Sequence, residues 1–173
     1  MSWKQRLILV GLLLPVAAQT ADVFVPDELQ GWQEWVLHDK DYRACPFYFN
    51  AGAAARRDFV CAWPGLLDIA IDADGGRFSQ QWTVYAQDAW LPLPGNSDYW
   101  PHDVTLNGAP AVVVERNGAP AVRVAPGTHR LSGSFAWDER PGVLPIPGQS
   151  GLVALSVNGN RIARPERSPR GLF

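Results

Sequence analysis

The stretch LDIAIDADGGRFSQQWTVY, residues 67–85, alternates two kinds of side chain on either side of a glycine-rich centre. One set of alternate positions is mostly apolar and the other is mostly polar, whereas Ala-Asp-Gly-Gly at the centre is typical of a turn. Because successive side chains of a strand point to opposite faces, the stretch predicts a β-hairpin with one buried face. The alternating positions are Leu67, Ile69 and Ile71 in the first run and Phe78, Gln80, Trp82 and Val84 in the second.

Residues 107–126 contain an internal echo, NGAPAVVVER followed by NGAPAVRVAP, with a period of ten residues. This period is shorter than that of helical solenoids or propellers, so it indicates successive strands joined by turns. The Asn-Gly pair that begins each copy suits a type I′ turn. Together with alternating runs near residues 131–137 and 152–157, the pattern gives about eight or nine short strands. It predicts an all-β fold, an antiparallel β-sandwich of jelly-roll or immunoglobulin-like type.

One short helix is predicted before these strands. Pro26 suits the first turn of a helix, and the two acidic residues that follow lie near the positive end of the helix dipole. Gly31 weakens the pattern, and the helix is expected to end near Asp39. Apolar residues recur at spacings of three and four, at Leu29, Trp32, Trp35 and Val36.

The N-terminus has the order of a secretory signal peptide. Lys4 and Arg6 precede an apolar run at residues 7–17, and small residues then allow cleavage after Ala18. A bilayer-spanning helix needs about 20 apolar residues, which is more than this run provides. The alternative is an uncleaved N-terminal anchor. The sequence therefore predicts an exported protein, located in the periplasm or cell envelope.

The only two cysteines, Cys45 and Cys61, are predicted to form a disulfide. Exported proteins reside in oxidising compartments where disulfides persist, and closing such a loop adds about 3 kcal/mol to stability. A CxxC redox pair would have two intervening residues, whereas fifteen separate these cysteines. The three histidines, His38, His102 and His129, are too dispersed to complete a structural zinc site.

Composition and charge narrow the class of protein. The net charge is −2 at pH 7 and becomes more negative when the two basic residues of the signal are removed, which argues against general nucleic-acid binding. The 16 glycines and 15 prolines fall between short apolar runs, as turns do. We predict a signal peptide at 1–18, a β-sandwich domain with its N-terminal helix at 22–158, and a flexible tail or linker at 159–173.

The candidate ligand-binding residues lie within one aromatic segment, DAWLPLPGNSDYWPHD, at residues 88–103. Exposed aromatic rings can stack on sugars or contact a partner protein, and nearby polar groups can position a ligand. The alternative is that these rings pack at the end of the sandwich, because large aromatic side chains usually bury most of their area. The candidates are Trp90, Tyr99, Trp100, His102 and Asp103.

No catalytic signature is found. Asp72 and Asp74 resemble a fragment of a calcium loop, but the further ligands and the distal Glu are absent. Residues 148–151, Gly-Gln-Ser-Gly, resemble a nucleophile elbow except that the second glycine comes one position early. We therefore predict no catalytic residue, no metal and no cofactor. A hydrolase would require carboxylates that converge only in the fold.

Several phrases together resemble the N-terminal region of large, uncharacterised bacterial envelope proteins. They are VPDELQGWQEWVLHD, CPF and CAWPG around the cysteines, GGRFSQQWTVYAQDAWLPLPG, YWPHDVTLNG and APGTHRLSGSFAWDERP. The resemblance covers about residues 23–157. It implies a β-rich N-terminal domain of a long exported chain whose membrane segments come much later, and it implies no catalytic residue. This chain departs from that pattern by stopping at Phe173.

These observations favour an exported, non-catalytic interaction or scaffold module of the bacterial envelope. Its expected partner is an envelope protein or polysaccharide, with no nucleic acid, and it would contact a membrane only through downstream segments. The first alternative is a carbohydrate-binding module that uses the loop aromatics, and the second is a hydrolase. An interaction module should present an exposed apolar patch or an unpaired strand edge, whereas a carbohydrate module needs exposed coplanar rings.

Overall fold

The structure is a computed structural model that describes residues 25–48, 52 and 55–172. The signal peptide predicted over residues 1–18 lies outside the described residues, so it stays a prediction. Within the described part of the chain, no helix has the length and apolar character required to cross a membrane.

The chain divides into two units, and the division falls between Val36 and Leu37. The N-terminal helix predicted as one element consists of two short helices, α1 (Asp27–Gln30) and α2 (Gln33–Leu37). Gly31 lies between them, and glycine weakens a helix because its backbone loses more conformational freedom on folding than that of any other residue. The two helices bury none of their residues.

The predicted disulfide between Cys45 and Cys61 is present, with the two Cα atoms 4.9 Å apart. A short 3₁₀ helix precedes each cysteine, at Asp41–Ala44 and at Arg56–Asp58. The disulfide-closed loop is thus confirmed. Near the cysteines in the sequence, the Phe59 ring makes edge-to-face contacts with Tyr42 and with Phe47.

The described residues form twelve strands, which confirms an all-β fold. In chain order they are β1 (Ala62–Ile71), β2 (Gly75–Val84), β3 (Ala89–Pro92), β4 (His102–Leu106), β5 (Ala109–Pro110), β6 (Val114–Arg116), β7 (Ala119–Val124), β8 (Gly127–Ala136), β9 (Val153–Val157), β10 (Asn160–Ile162), β11 (Arg167–Ser168) and β12 (Gly171–Leu172). The large sheet has the order β10-β9-β1-β2-β8-β4-β5, and the small sheet has the order β3-β7-β6. Strands β11 and β12 form a separate pair.

The hairpin predicted from residues 67–85 is the centre of the large sheet. Strands β1 and β2 pair antiparallel, with Ile69 opposite Phe78. Strand β2 then pairs with β8 over its full length, and Phe78 lies opposite Gly133. A Cβ atom on Gly133 would approach the Phe78 ring to 2.7 Å, so this glycine leaves the space that the ring occupies.

The two Asn-Gly turns of the internal echo lie in different sheets. Asn107 and Gly108, with φ of 54° and 85°, connect β4 to β5 in the large sheet. Asn117 and Gly118, with φ of 54° and 76°, connect β6 to β7 in the small sheet. Both turns have the positive φ values expected of type I′ turns. The chain crosses from one sheet to the other within the first copy, between β5 and β6.

One strand pair differs from the predicted antiparallel arrangement. Strand β9 runs parallel to β1, with Leu67 opposite Val153 and Ile71 opposite Val157. A parallel pair requires a long crossover connection. The proline- and glycine-rich residues 137–152 provide that connection between the end of β8 and the start of β9.

The core lies between the large and small sheets, which makes the domain a β-sandwich. Its one buried amide side chain, within the described residues, is Gln80, whose Nε2 donates hydrogen bonds to Ser150 Oγ (2.9 Å) and the Gly65 carbonyl (3.1 Å). Fully burying a large apolar side chain contributes about 1.5–3 kcal/mol. The principal apolar contributors are Leu67, Ile69, Phe78, Trp82, Leu131 and Phe135 from the large sheet and Leu91, Val122 and Val124 from the small sheet.

The C-terminal segment differs from the flexible tail or linker predicted over residues 159–173. It carries β10, β11 and β12, and Leu172 is 2% exposed within the core. The backbone amide and carbonyl of Leu172 both hydrogen-bond to Leu144. The guanidinium of Arg167 donates to the carbonyls of Ser150 and Gly148. The pairing of Leu172 with Leu144 could not be predicted, because a short strand that pairs with a distant segment shows no periodic pattern in its own sequence.

Candidate functional site

Trp90, the first of the predicted ligand-binding residues, lies on β3 at the edge of the small sheet. Its side chain is partly exposed, at 36%. The guanidinium carbon of Arg116 lies 4.9 Å from the ring centroid, a distance typical of a cation–π contact. The ring is therefore already in contact with a cationic side chain on β6, the opposite edge of the same sheet.

Tyr99 and Trp100 lie in the connection between β3 and β4, and both are half-buried. Asn96 Oδ1 accepts hydrogen bonds from the backbone amides of Asp98 (3.0 Å) and Tyr99 (2.9 Å), which fixes the turn. The Tyr99 ring meets Trp137 edge to face at 6.5 Å. Tyr99 thus packs at the margin of the core, as the packing alternative expects, and is not held on one strand with Trp90.

His102 and Asp103 begin β4, where both side chains are exposed. The register between β4 and β8 shifts between His102 and Thr105, and Asp103 has a positive φ of 49°. The Ser134 hydroxyl lies 3.3 Å from both the His102 carbonyl and Asp103 Oδ2. The irregular backbone therefore directs the Asp103 carboxylate toward β8.

Asp103 lines an open depression of about 540 Å³ on the outer face of the large sheet, here called the polar trough. Pairing of β1 with β2, β2 with β8 and β8 with β4 brings residues from four strands to this face. The polar lining residues are Asp68, Arg77, Ser79, Asp103, Thr105, Ser132 and Ser134.

A second depression, of about 420 Å³, lies beside the crossing between the two sheets and is here called the apolar groove. Val112, in the crossing segment, is 81% exposed. Strands β5 and β6, next to this segment, are the outermost strands of their sheets at this side. The apolar groove is lined mainly by Trp90, Leu106, Pro110, Val112, Val114 and Val122.

Two sequence motifs that resembled functional sites, residues 148–151 and the turn with Asp72 and Asp74, have structural roles in the fold. Ser150 is fully buried and its hydroxyl contacts the Gln80 side chain, so residues 148–151 do not expose a nucleophile. The backbone of Asp72 and Asp74 forms hydrogen bonds with Gly75 and Trp137 around the β1–β2 turn. Across residues 25–48, 52 and 55–172, no group of three or more His, Cys, Asp or Glu side chains could hold a metal ion.

Sequence reasoning identified Asp103 but missed the other residues of the polar trough. The available signal was the polar half of the hairpin alternation, in which Asp68, Arg77 and Ser79 occupy the face opposite the core. Finding Ser132 and Ser134 also required the register of β8 against β2 and β4. That register joins segments far apart in the chain.

No protein-family model and no curated protein matches this chain. Among solved structures, an M1 zinc metallopeptidase from Deinococcus radiodurans is 15% identical with a TM-score of 0.35, covering 56% of this chain and 31% of the peptidase. A mutant two-domain M1 zinc metallopeptidase bound to L-tryptophan is 13% identical with a TM-score of 0.37, covering 56% of this chain and 32% of that one. The matched region is thus about a third of each enzyme, and the likeness is too low to support a conclusion about fold or activity.

Proposed function

We propose that the protein is an exported, non-catalytic interaction module of the bacterial envelope and the N-terminal domain of a longer protein. The observation that carries the proposal is the apolar groove beside the outer strands β5 and β6. An exposed apolar patch next to an unpaired strand edge is a common place for another protein to bind. The partner is therefore an envelope protein that buries Val112.

The apolar groove combines two features that a protein partner can use. Val112 offers an apolar side chain to solvent, and Trp90 provides a large, partly exposed ring in the same depression. Pro110 lacks an amide hydrogen, which limits uncontrolled strand addition at the edge of the large sheet. Recognition would thus depend mainly on apolar side-chain contacts.

The disulfide supports the export part of this proposal. Cys45 and Cys61 are bonded, and disulfides form and persist mainly in oxidising compartments such as the periplasm. The signal sequence expected over residues 1–18 and the resemblance to envelope proteins agree with this location. A periplasmic domain with an exposed apolar groove suits a scaffold that joins envelope components.

The carbohydrate-binding alternative based on loop aromatics stays a prediction. It is supported by the partial exposure of Trp90 and Trp100. It is weakened because Tyr99 packs against Trp137 and Trp90 lies beneath Arg116. These contacts would have to open before a sugar could stack on all three rings.

Photocrosslinking in the source bacterium tests the proposal. A photoreactive amino acid at Val112 should give a discrete adduct with a protein in the periplasmic fraction. The matched control is Leu152, which is also apolar and is 67% exposed, but does not line the apolar groove. The Pro110→Asp substitution should remove the Val112 adduct, because it places a charge at the groove. Equal adducts at both positions, no adduct at Val112, or an adduct that survives Pro110→Asp would contradict the proposal.

A further inference from the structure

We propose that the polar trough is a binding site for a neutral saccharide, separate from the apolar groove and from the loop aromatics. The inference goes beyond the interaction module because it concerns the outer face of the large sheet and a different class of ligand. It rests on the register of four strands, on the small size of the side chains in the trough, and on their hydrogen-bonding capacity.

One row of polar side chains crosses four strands. Asp68 on β1 lies opposite Ser79 on β2, Ser79 lies opposite Ser132 on β8, and Ser132 lies opposite Thr105 on β4. Directly paired residues share a face, and neighbouring strands are about 4.8 Å apart, so the row extends for about 14 Å. Thr105 Oγ1 and Ser132 Oγ lie 2.8 Å apart, which holds the two hydroxyls in a defined orientation.

A second row of side chains on the same face lies two residues along the strands from the first row, and it adds the positive charge of Arg77 to the trough. Ala70 lies opposite Arg77, and Arg77 lies opposite Ser134. The Ser134 hydroxyl in turn contacts Asp103 Oδ2. Small side chains at Ala70 and Ser134, on either side of Arg77, leave the depression open, whereas larger side chains would fill it.

The charged groups retain hydrogen-bonding capacity. Among the described residues, neither Asp68 nor Arg77 forms a salt bridge or a side-chain hydrogen bond, although both line the trough. A guanidinium has five N–H donors and no acceptor, whereas an ionised carboxylate only accepts. The side chain of Arg77 is therefore available to a ligand from one side of the trough, and that of Asp68 from another.

This set of groups complements the hydroxyls of a sugar. Each sugar hydroxyl can donate to a carboxylate and accept from a guanidinium or a serine hydroxyl. Two carboxylates and one guanidinium give the trough a net negative charge, which disfavours phosphate and acidic sugars. The volume of about 540 Å³ lies within the range of about 300–1,000 Å³ that is typical of small-molecule sites.

The contact chemistry also predicts weak binding. No exposed aromatic ring lines the trough, and the one aromatic residue there, Phe78, is 3% exposed. Binding therefore depends on hydrogen bonds that replace those to water, each with a modest net contribution. We expect dissociation constants on the order of 1 mM for single sugar residues.

Amide chemical shifts of the isotopically labelled full chain, purified after expression with its own N-terminus, test this inference. The probes are glucose, galactose, mannose and N-acetylglucosamine, each titrated to high millimolar concentration, with inorganic phosphate as the anionic comparison. At least one sugar should produce saturable shifts near Arg77, Ser79 and Ser134. Absence of shifts there with all four sugars would overturn the proposal. Shifts with phosphate alone would also overturn it, in favour of an anion site.

The variants locate the site. Arg77→Gln should weaken sugar binding about tenfold, which corresponds to about 1.4 kcal/mol. The matched control is Arg161→Gln, because Arg161 is exposed on β10 of the same sheet and does not line the trough. Equal affinity of the Arg77→Gln variant and the unmodified chain would refute the assignment. Shifts confined to Trp90 and Trp100 would instead support the loop aromatics, and the Val112 crosslinking result is independent of all these outcomes.

Discussion

Arg77 and Phe78 are neighbours in β2, yet they lie on opposite faces of the large sheet and in different surroundings. The Phe78 side chain is 3% exposed and its ring centroid lies 5.6 Å from that of Phe135. The Arg77 side chain is exposed and lines the polar trough. One strand thus supplies the core with every second side chain and supplies a candidate binding surface with two of the others, Arg77 and Ser79. The comparison implies that the two faces can be changed separately.

The largest expected effect comes from the inner face. Trp82→Ala should lower the free energy of unfolding by about 3–5 kcal/mol, because the side chain is 1% exposed and its removal leaves a cavity. Ser79→Ala, on the outer face of the same strand, should change it by about 0.5 kcal/mol or less. Urea unfolding followed by circular dichroism measures both. Similar losses in the free energy of unfolding for the two variants would contradict the claim that the inner face alone determines stability.

A smaller loss is expected where the C-terminal segment closes the core. Gly171 has a φ of +145°, and a Cβ atom there would lie 2.2 Å from the Leu144 carbonyl oxygen. Gly171→Ala should therefore destabilise the domain by about 2 kcal/mol. Gly142→Ala is the control, since a Cβ atom at Gly142 meets nothing within 4 Å. If both variants unfolded at the same urea concentration as the unmodified chain, the C-terminal segment would not contribute to the core.

A third test compares adjacent residues of β8. Gly133→Ala should cost about 1–2 kcal/mol, because the added Cβ would lie 2.7 Å from the Phe78 ring on the inner face. Ser132→Ala, on the outer face, removes a hydrogen bond to Thr105 and should cost about 1 kcal/mol or less. Thermal unfolding of the two variants provides the measurement. A greater loss for Ser132→Ala would mean that the outer face also determines stability.

The parts of the fold that depend on local sequence were predicted correctly. The β1–β2 hairpin follows from two alternating runs around a glycine-rich turn, and the Asn-Gly turns follow from the need for positive φ. The disulfide follows from two cysteines in a chain with a signal-like N-terminus. The hairpin and the turns are each determined by residues within a short stretch of sequence. The disulfide is determined because the chain has only two cysteines.

The parts that depend on distant pairing could not be predicted. The parallel alignment of β9 with β1 and the insertion of Leu172 into the core join segments separated by many residues. The polar trough could not be predicted for the same reason. Ser132 lies next to Ser79 and Thr105 only because of the register of β8 with β2 and β4. A single helix was predicted because the apolar spacing continues past Gly31, although glycine was expected to weaken the helix there.

The most direct test of the independence of the two faces is a paired measurement on Arg77→Gln and Trp82→Phe. For each variant, the urea midpoint and the sugar-induced amide shifts are recorded on the same purified chain. The account predicts that Arg77→Gln keeps the midpoint and weakens sugar binding about tenfold. It also predicts that Trp82→Phe, a change on the inner face of β2 at a residue that does not line the trough, lowers the midpoint, while the molecules that remain folded bind sugar normally. A lowered midpoint with unchanged sugar shifts for Arg77→Gln would contradict it.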